Sequence, residues 1–227
     1  MQRLTGLFLA IAKWPIALIA LVITPASAVV FFDLLKQASG QGFWTSPFAV
    51  GFAASAAFLF VFGKNSFIVF WSTMEHEFTH ALFAWCTFVP VRKFMTSDGT
   101  TLENGDRTLG EVELDGSNWL ISSAPYFFPT APVALMAVTW ILSARSTVVG
   151  AGLLGATTAY SILSTWRETH GGQTDLKNVG FSFAWLFLPG ANLIAYSMLL
   201  GYQLGGPKEA GLVFTYPLEL TRHWVGV

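Results

Sequence analysis

The sequence predicts an all-α polytopic membrane protein: one membrane-embedded domain over 1–227, with about six transmembrane helices and a small β-hairpin after the third. Three observations carry this expectation. Of 227 residues, 53% are hydrophobic and 11% charged, against about a quarter charged in an ordinary soluble domain. This excludes a soluble globule, and the same balance excludes a disordered chain, which needs low hydrophobicity and high net charge. Six stretches approach the roughly 20 apolar residues that a hydrocarbon core of about 30 Å requires, at 14–32, 43–62, 66–89, 119–142, 147–166 and 181–204. Trp14, Trp44, Trp119, Trp140, Trp166 and Trp185 lie near their ends, as indoles anchored at the lipid headgroups do.

The first stretch follows Arg3 and Lys13 and contains Pro25-Ala26-Ser27-Ala28, which reads as a signal-peptidase site or as the interior of a span. Val29, Val30, Phe31 and Phe32 continue the apolar run and favour the span. Lys64 and Asn65 separate the second and third stretches. Strict alternation of direction then places 90–118 and 167–180 on one side of the membrane, and 64–65, 144–146 and both chain ends on the other. Lys and Arg divide almost evenly between the two sides, so they set no orientation.

The insertion at about 90–118 reads as two strands, 91–96 and 109–114, joined by a turn-rich stretch with Asp98-Gly99 and Asn104-Gly105. The fourth stretch opens on Ser122-Ser123-Ala124-Pro125-Tyr126-Phe127-Phe128-Pro129. Its two prolines predict a broken helix, which either lines a water-filled cavity or is a packing kink. Asn118 and Asn192 are candidates for substrate contact or for bonds between helices. A net charge of −1 gives no basic field for nucleic acid, and the single cysteine, Cys86, forms no internal disulfide.

The third stretch carries the chemistry. His76-Glu77-Phe78-Thr79-His80 fits H-E-x-x-H, and residues four apart lie on one helix face, so both imidazoles reach one Zn²⁺ at about 2.0 to 2.1 Å. Glu77 flanks that face, while Glu75 points away from it. Zinc lowers the pKa of a bound water, Glu77 is placed to accept its proton, and amide hydrolysis is the natural outcome. The plain alternative is that these groups only bond neighbouring helices, but ionisable residues within spans are costly and usually functional.

A catalytic zinc takes three protein ligands. The third comes from the side of the membrane nearer the second half of this span, which leaves Asp175, His170 and Asp115. Asp175, just before the last span, is the leading candidate; its plain reading is a helix N-cap or a solvated loop charge.

An H-E-x-x-H inside a membrane helix, a following polar hairpin and a later Asp resemble the site-2 protease (M50) family of zinc metallopeptidases, most specifically at His76-Glu77-Phe78-Thr79-His80-Ala81. The resemblance implies His76 and His80 as ligands, Glu77 as the catalytic base, a later Asp as third ligand, and a membrane-protein or peptide substrate. Leu114-Asp115-Gly116 is the only Leu-Asp-Gly in the chain, and it lies in the hairpin segment instead of on a late helix as in the family. The hairpin is a candidate to receive an extended substrate as an added strand, or a solvated lid. The competing function is a non-proteolytic membrane protein, an inactive relative or an ion or proton carrier, using the same His and Glu cluster.

Overall fold

With few polar residues to call on, the chain satisfies its backbone groups within helices. The computed structural model describes residues 1–40, 42–96 and 110–226, and most of them are helical. In chain order they form α1 (Gln2–Gly40), α2 (Pro47–Phe62), α3 (Ser66–Cys86), β1 (Val91–Thr96), β2 (Gly110–Leu114), α4 (Trp119–Ser123), α5 (Thr130–Ile141), α6 (Val148–Glu168), α7 (Thr174–Val179), α8 (Phe181–Gly205) and α9 (Pro207–Val225). The Asp98-Gly99 and Asn104-Gly105 turn lies outside the described residues, as does Leu109.

The number of crossings differs from the expected six. α1, α6 and α8 are each long and apolar enough to cross a membrane. α2 with α3, and α4 with α5, meet that standard only as bent pairs, turning by 115° and 79°, which gives three to five candidate crossings among the described residues. The reasons are local. α2 has 16 residues and α5 has 12, or about 24 and 18 Å at 1.5 Å per residue, short of the hydrocarbon core. α3 has 21 residues but carries Glu75, His76, Glu77 and His80 at its centre.

The expected alternation fails for the same reason. α2 and α6 run side by side in the same direction: a Cβ on Gly51 would strike the Gly152 carbonyl, and one on Gly155 the Phe48 carbonyl. Small residues at such a contact let two backbones approach in an apolar medium. Where both helices end, Arg167 donates to the Leu59 and Gly63 carbonyls at 2.8 and 2.9 Å. The N-terminus sits at this same end, where Gln2 Nε2 donates to the Asp115 carbonyl and Lys13 Nζ to the Val179 carbonyl. Because α3 leaves α2 at 115° instead of doubling back, segments assigned to opposite sides come together.

The hairpin forms as expected. β1 and β2 are antiparallel, with Val91 opposite Leu114 and Phe94 opposite Val112, and an irregularity at Arg92. α3 delivers the chain to it through a Schellman close: the Val89 N–H bonds the Ala84 carbonyl and the Phe88 N–H that of Trp85, with Phe88 left-handed at φ 59°. The proline break also forms. Pro125 starts a 3-10 turn over Ala124–Tyr126 and Pro129 caps α5. Two helices escape the sequence reading: the short α7, inside the segment 167–180 read as a connection, and α9, which packs on α1 and α8 and carries Glu209 in its first turn and Arg222 and His223 in its last.

Candidate metal centre

α3 starts at Asn65, whose side chain accepts from the Phe67 N–H. Its regular turns put His76 and His80 on one face with ring centroids 4.9 Å apart. Each ring has its Nδ1 committed. His76 Nδ1 lies 2.7 Å from Glu168 Oε2, and His80 Nδ1 lies 2.9 Å from the Ile121 carbonyl. A carbonyl and a carboxylate only accept, so both Nδ1 atoms donate, and each ring turns its Nε2 toward the other.

Asp175 faces these two nitrogens. Its Oδ2 is 3.3 Å from His80 Nε2 and 3.6 Å from His76 Nε2, and the three donor atoms lie within 4.8 Å of one another. α7 supplies this carboxylate because Leu176 and Val179 are buried in the cluster that holds Trp119, Tyr126 and Phe183, which fixes the helix against α4 and α8. Burial alone would raise the Asp175 carboxyl, but the imidazoles facing it, when they carry a proton on Nε2, more than reverse this and hold it below the usual carboxylate range.

The arrangement asks for a cation. With both Nδ1–H groups spent, the two Nε2 atoms and the carboxylate oxygen are three electron-rich atoms facing one another, and only a proton or a metal ion relieves their repulsion. Tetrahedral ligands at about 2.0 to 2.1 Å from zinc stand about 3.4 Å apart, so the Oδ2 separations match that coordination. Two imidazoles and one carboxylate are also a donor set that catalytic zinc takes. The His76 and His80 side chains are 9% and 7% exposed and Asp175 is 30% exposed, which leaves the approach open on the Asp175 side.

Glu77 lies beside His80 and His76 and close to the Val112 backbone of β2. Glu75 points away, as its position on the helix predicts: it accepts from the Ala131 N–H at 2.7 Å at the start of α5 and lies near Tyr160. Thr79 and Thr130 share a hydrogen bond next to it. These contacts hold the broken pair α4 and α5 against α3.

The other two candidates for third ligand stand apart. Asp115 pairs with the exposed Arg92, and this partner holds the guanidinium above its ordinary value. His170 is exposed in the loop before α7, where its Nδ1 accepts from the Gly172 N–H. Asn118 caps α4 and donates to Thr87, and Asn192 donates to the Tyr126 and Leu188 carbonyls, so both bond within and between elements.

Two residues of the centre escape sequence reasoning. Glu168 also bonds Ser72 and Ser164, and its signal was its position: an acid in the last turn of a helix opposes the helix dipole, so it needs local partners. Tyr126 sets its ring edge-on to His76 at 5.4 Å, and nothing in its local sequence marks it beyond the neighbouring prolines. No protein-family model, no curated protein and no solved structure matches this chain, so the centre is read from its own geometry.

Proposed function

We propose that the protein is a membrane-embedded zinc metalloprotease that hydrolyses peptide bonds within or next to the bilayer, as the site-2 proteases it resembles do. The observation that carries this reading is the convergence of His76 Nε2, His80 Nε2 and Asp175 Oδ2 while both Nδ1 atoms are held by acceptors. His76, His80 and Asp175 would hold Zn²⁺, which when bound supplies a Lewis acid that acidifies water and polarises a carbonyl. The protein's own groups do the rest. Glu77 takes the proton of the attacking water and passes it to the leaving amine, and Glu168 and the Ile121 carbonyl fix the two rings.

The substrate in this reading is a membrane protein or peptide, which must be extended before its amide is open to attack. β2 pairs with β1 along one edge only, and its Val112 backbone lies close to Glu77. A strand added to that free edge runs past the base. A groove of about 690 Å³ between α6 and α8, lined by Ile162, Trp166, Phe181, Trp185, Leu188 and Tyr126, offers room for apolar side chains beside the centre's Tyr126.

One observation favours a second reading. Ser72, Ser164, Glu168 and His76 form a continuous hydrogen-bonded chain, which suits a non-proteolytic proton carrier. Proteoliposomes holding tagged single-span test proteins separate the two. The protease reading expects cleavage by the wild type and none by Glu77→Gln, which keeps its metal; undiminished cleavage by Glu77→Gln contradicts the mechanism.

A further inference from the structure

We propose that Tyr126 is a further catalytic residue: its hydroxyl donates a hydrogen bond to the oxyanion that forms when a carbonyl at the His76, His80 and Asp175 centre is attacked. This rests on the metal-centre reading above and assigns that centre a specific oxyanion donor.

The starting observation is an unpaired group. Tyr126 is 1% exposed, and its hydroxyl is buried with no hydrogen-bond partner. Buried hydroxyls nearly always find a partner, and one left unpaired marks a destabilised group or one reserved for a ligand. Its position decides between these. The ring packs edge-on against His76, and the hydroxyl lies near the Asp175 carboxylate without a hydrogen bond to it. The ring also lines the groove between α6 and α8, so one residue borders both the groove and the centre.

The residue is held there. Pro125 fixes the turn that presents it, Asn192 Nδ2 donates to its carbonyl at 2.9 Å, and its ring is buried with Trp119, Leu176 and Phe183. A donor fixed before reaction and aimed where negative charge develops is what stabilises an oxyanion. In the step itself the water oxygen bonds to the carbonyl carbon, the π electron pair moves onto the carbonyl oxygen, and the water proton goes to Glu77. Tyr126 keeps its own proton and shares it with that oxygen.

The test uses Co²⁺-substituted protein in detergent, titrated with acetohydroxamate, whose anionic oxygen occupies the open side of the centre, and followed by visible absorption. Tyr126→Phe keeps the ring against His76. The expected result has three parts: an unchanged Co²⁺ spectrum before the probe, undiminished thermal stability of the metal-free protein, and acetohydroxamate bound about tenfold or more weakly, as loss of one hydrogen bond to a charged group predicts. Equal affinity in the two proteins overturns the role of Tyr126 and leaves the metal centre standing. An altered Co²⁺ spectrum or a loss of metal-free stability in Tyr126→Phe assigns the residue to packing and also overturns the proposal. Wild-type protein that gives no Co²⁺ spectrum overturns the metal centre, and the proposal with it.

Discussion

The imidazole Nδ1 of His76 lies 2.7 Å from the Glu168 carboxylate, so a residue at the end of α6 sets the direction in which an α3 histidine presents its other nitrogen. Carboxylates that hold a ligating imidazole in this way raise its basicity and fix its tautomer, and their loss costs about 10- to 100-fold in metal affinity. Glu168→Ala is expected to weaken Zn²⁺ binding by that factor without abolishing it, measured by competition with a chromophoric chelator. Unchanged affinity removes Glu168 from the centre.

The ligand set separates Asp175 from the two competing candidates, His170 and Asp115. Asp175→Ala removes an atom that faces both Nε2 nitrogens and is expected to lose bound zinc during purification. Asp115→Ala frees only the exposed Arg92, and His170→Ala only a loop N–H, so both keep wild-type metal content by elemental analysis. Loss of metal in either control, with retention in Asp175→Ala, reverses the assignment.

Metal retention depends on pH with a defined sign. Binding needs neutral imidazoles at His76 and His80, so protons compete with the metal. Asp175, held below the usual carboxylate range, is already ionised and takes up no proton in this window. Affinity therefore falls as the pH is lowered, with a limiting slope of about two decades of Kd per pH unit where each imidazole must lose a proton to bind. A chelator titration from about pH 7.5 to 5 checks this; a flat profile contradicts it.

Glu75 is expected to hold the fold and not the metal. Its carboxylate accepts from the Ala131 N–H at the start of α5. Glu75→Ala leaves this N–H unpaired in an apolar setting, at a cost of about 1 to 3 kcal/mol if it finds no new partner. Thermal unfolding in detergent should show a clear drop in Tm at unchanged metal stoichiometry. Lost stoichiometry at unchanged Tm would move Glu75 into the centre.

Much of this was legible in the sequence because it depends on local periodicity. The His76 and His80 spacing, the direction of Glu75, the hairpin strands and the Pro125 and Pro129 break all follow from residues within one or two turns of each other. The contacts that complete the centre span the chain: Glu168 is 92 residues from His76, and the Ile121 carbonyl is 41 from His80. A backbone carbonyl leaves no residue-type signal at all. Apolar length alone does not fix the count of crossings, because the 115° turn after α2 depends on how α3 packs. α9 was hidden by its polar composition, which reads as a tail until its apolar residues meet α1 and α8.

The most direct test is zinc-edge anomalous scattering from crystals of the purified protein. The account predicts one zinc peak per chain within about 2.2 Å of His76 Nε2, His80 Nε2 and an Asp175 oxygen. A zinc-supplemented protein with no peak there, or with a peak on any other set of residues, contradicts it.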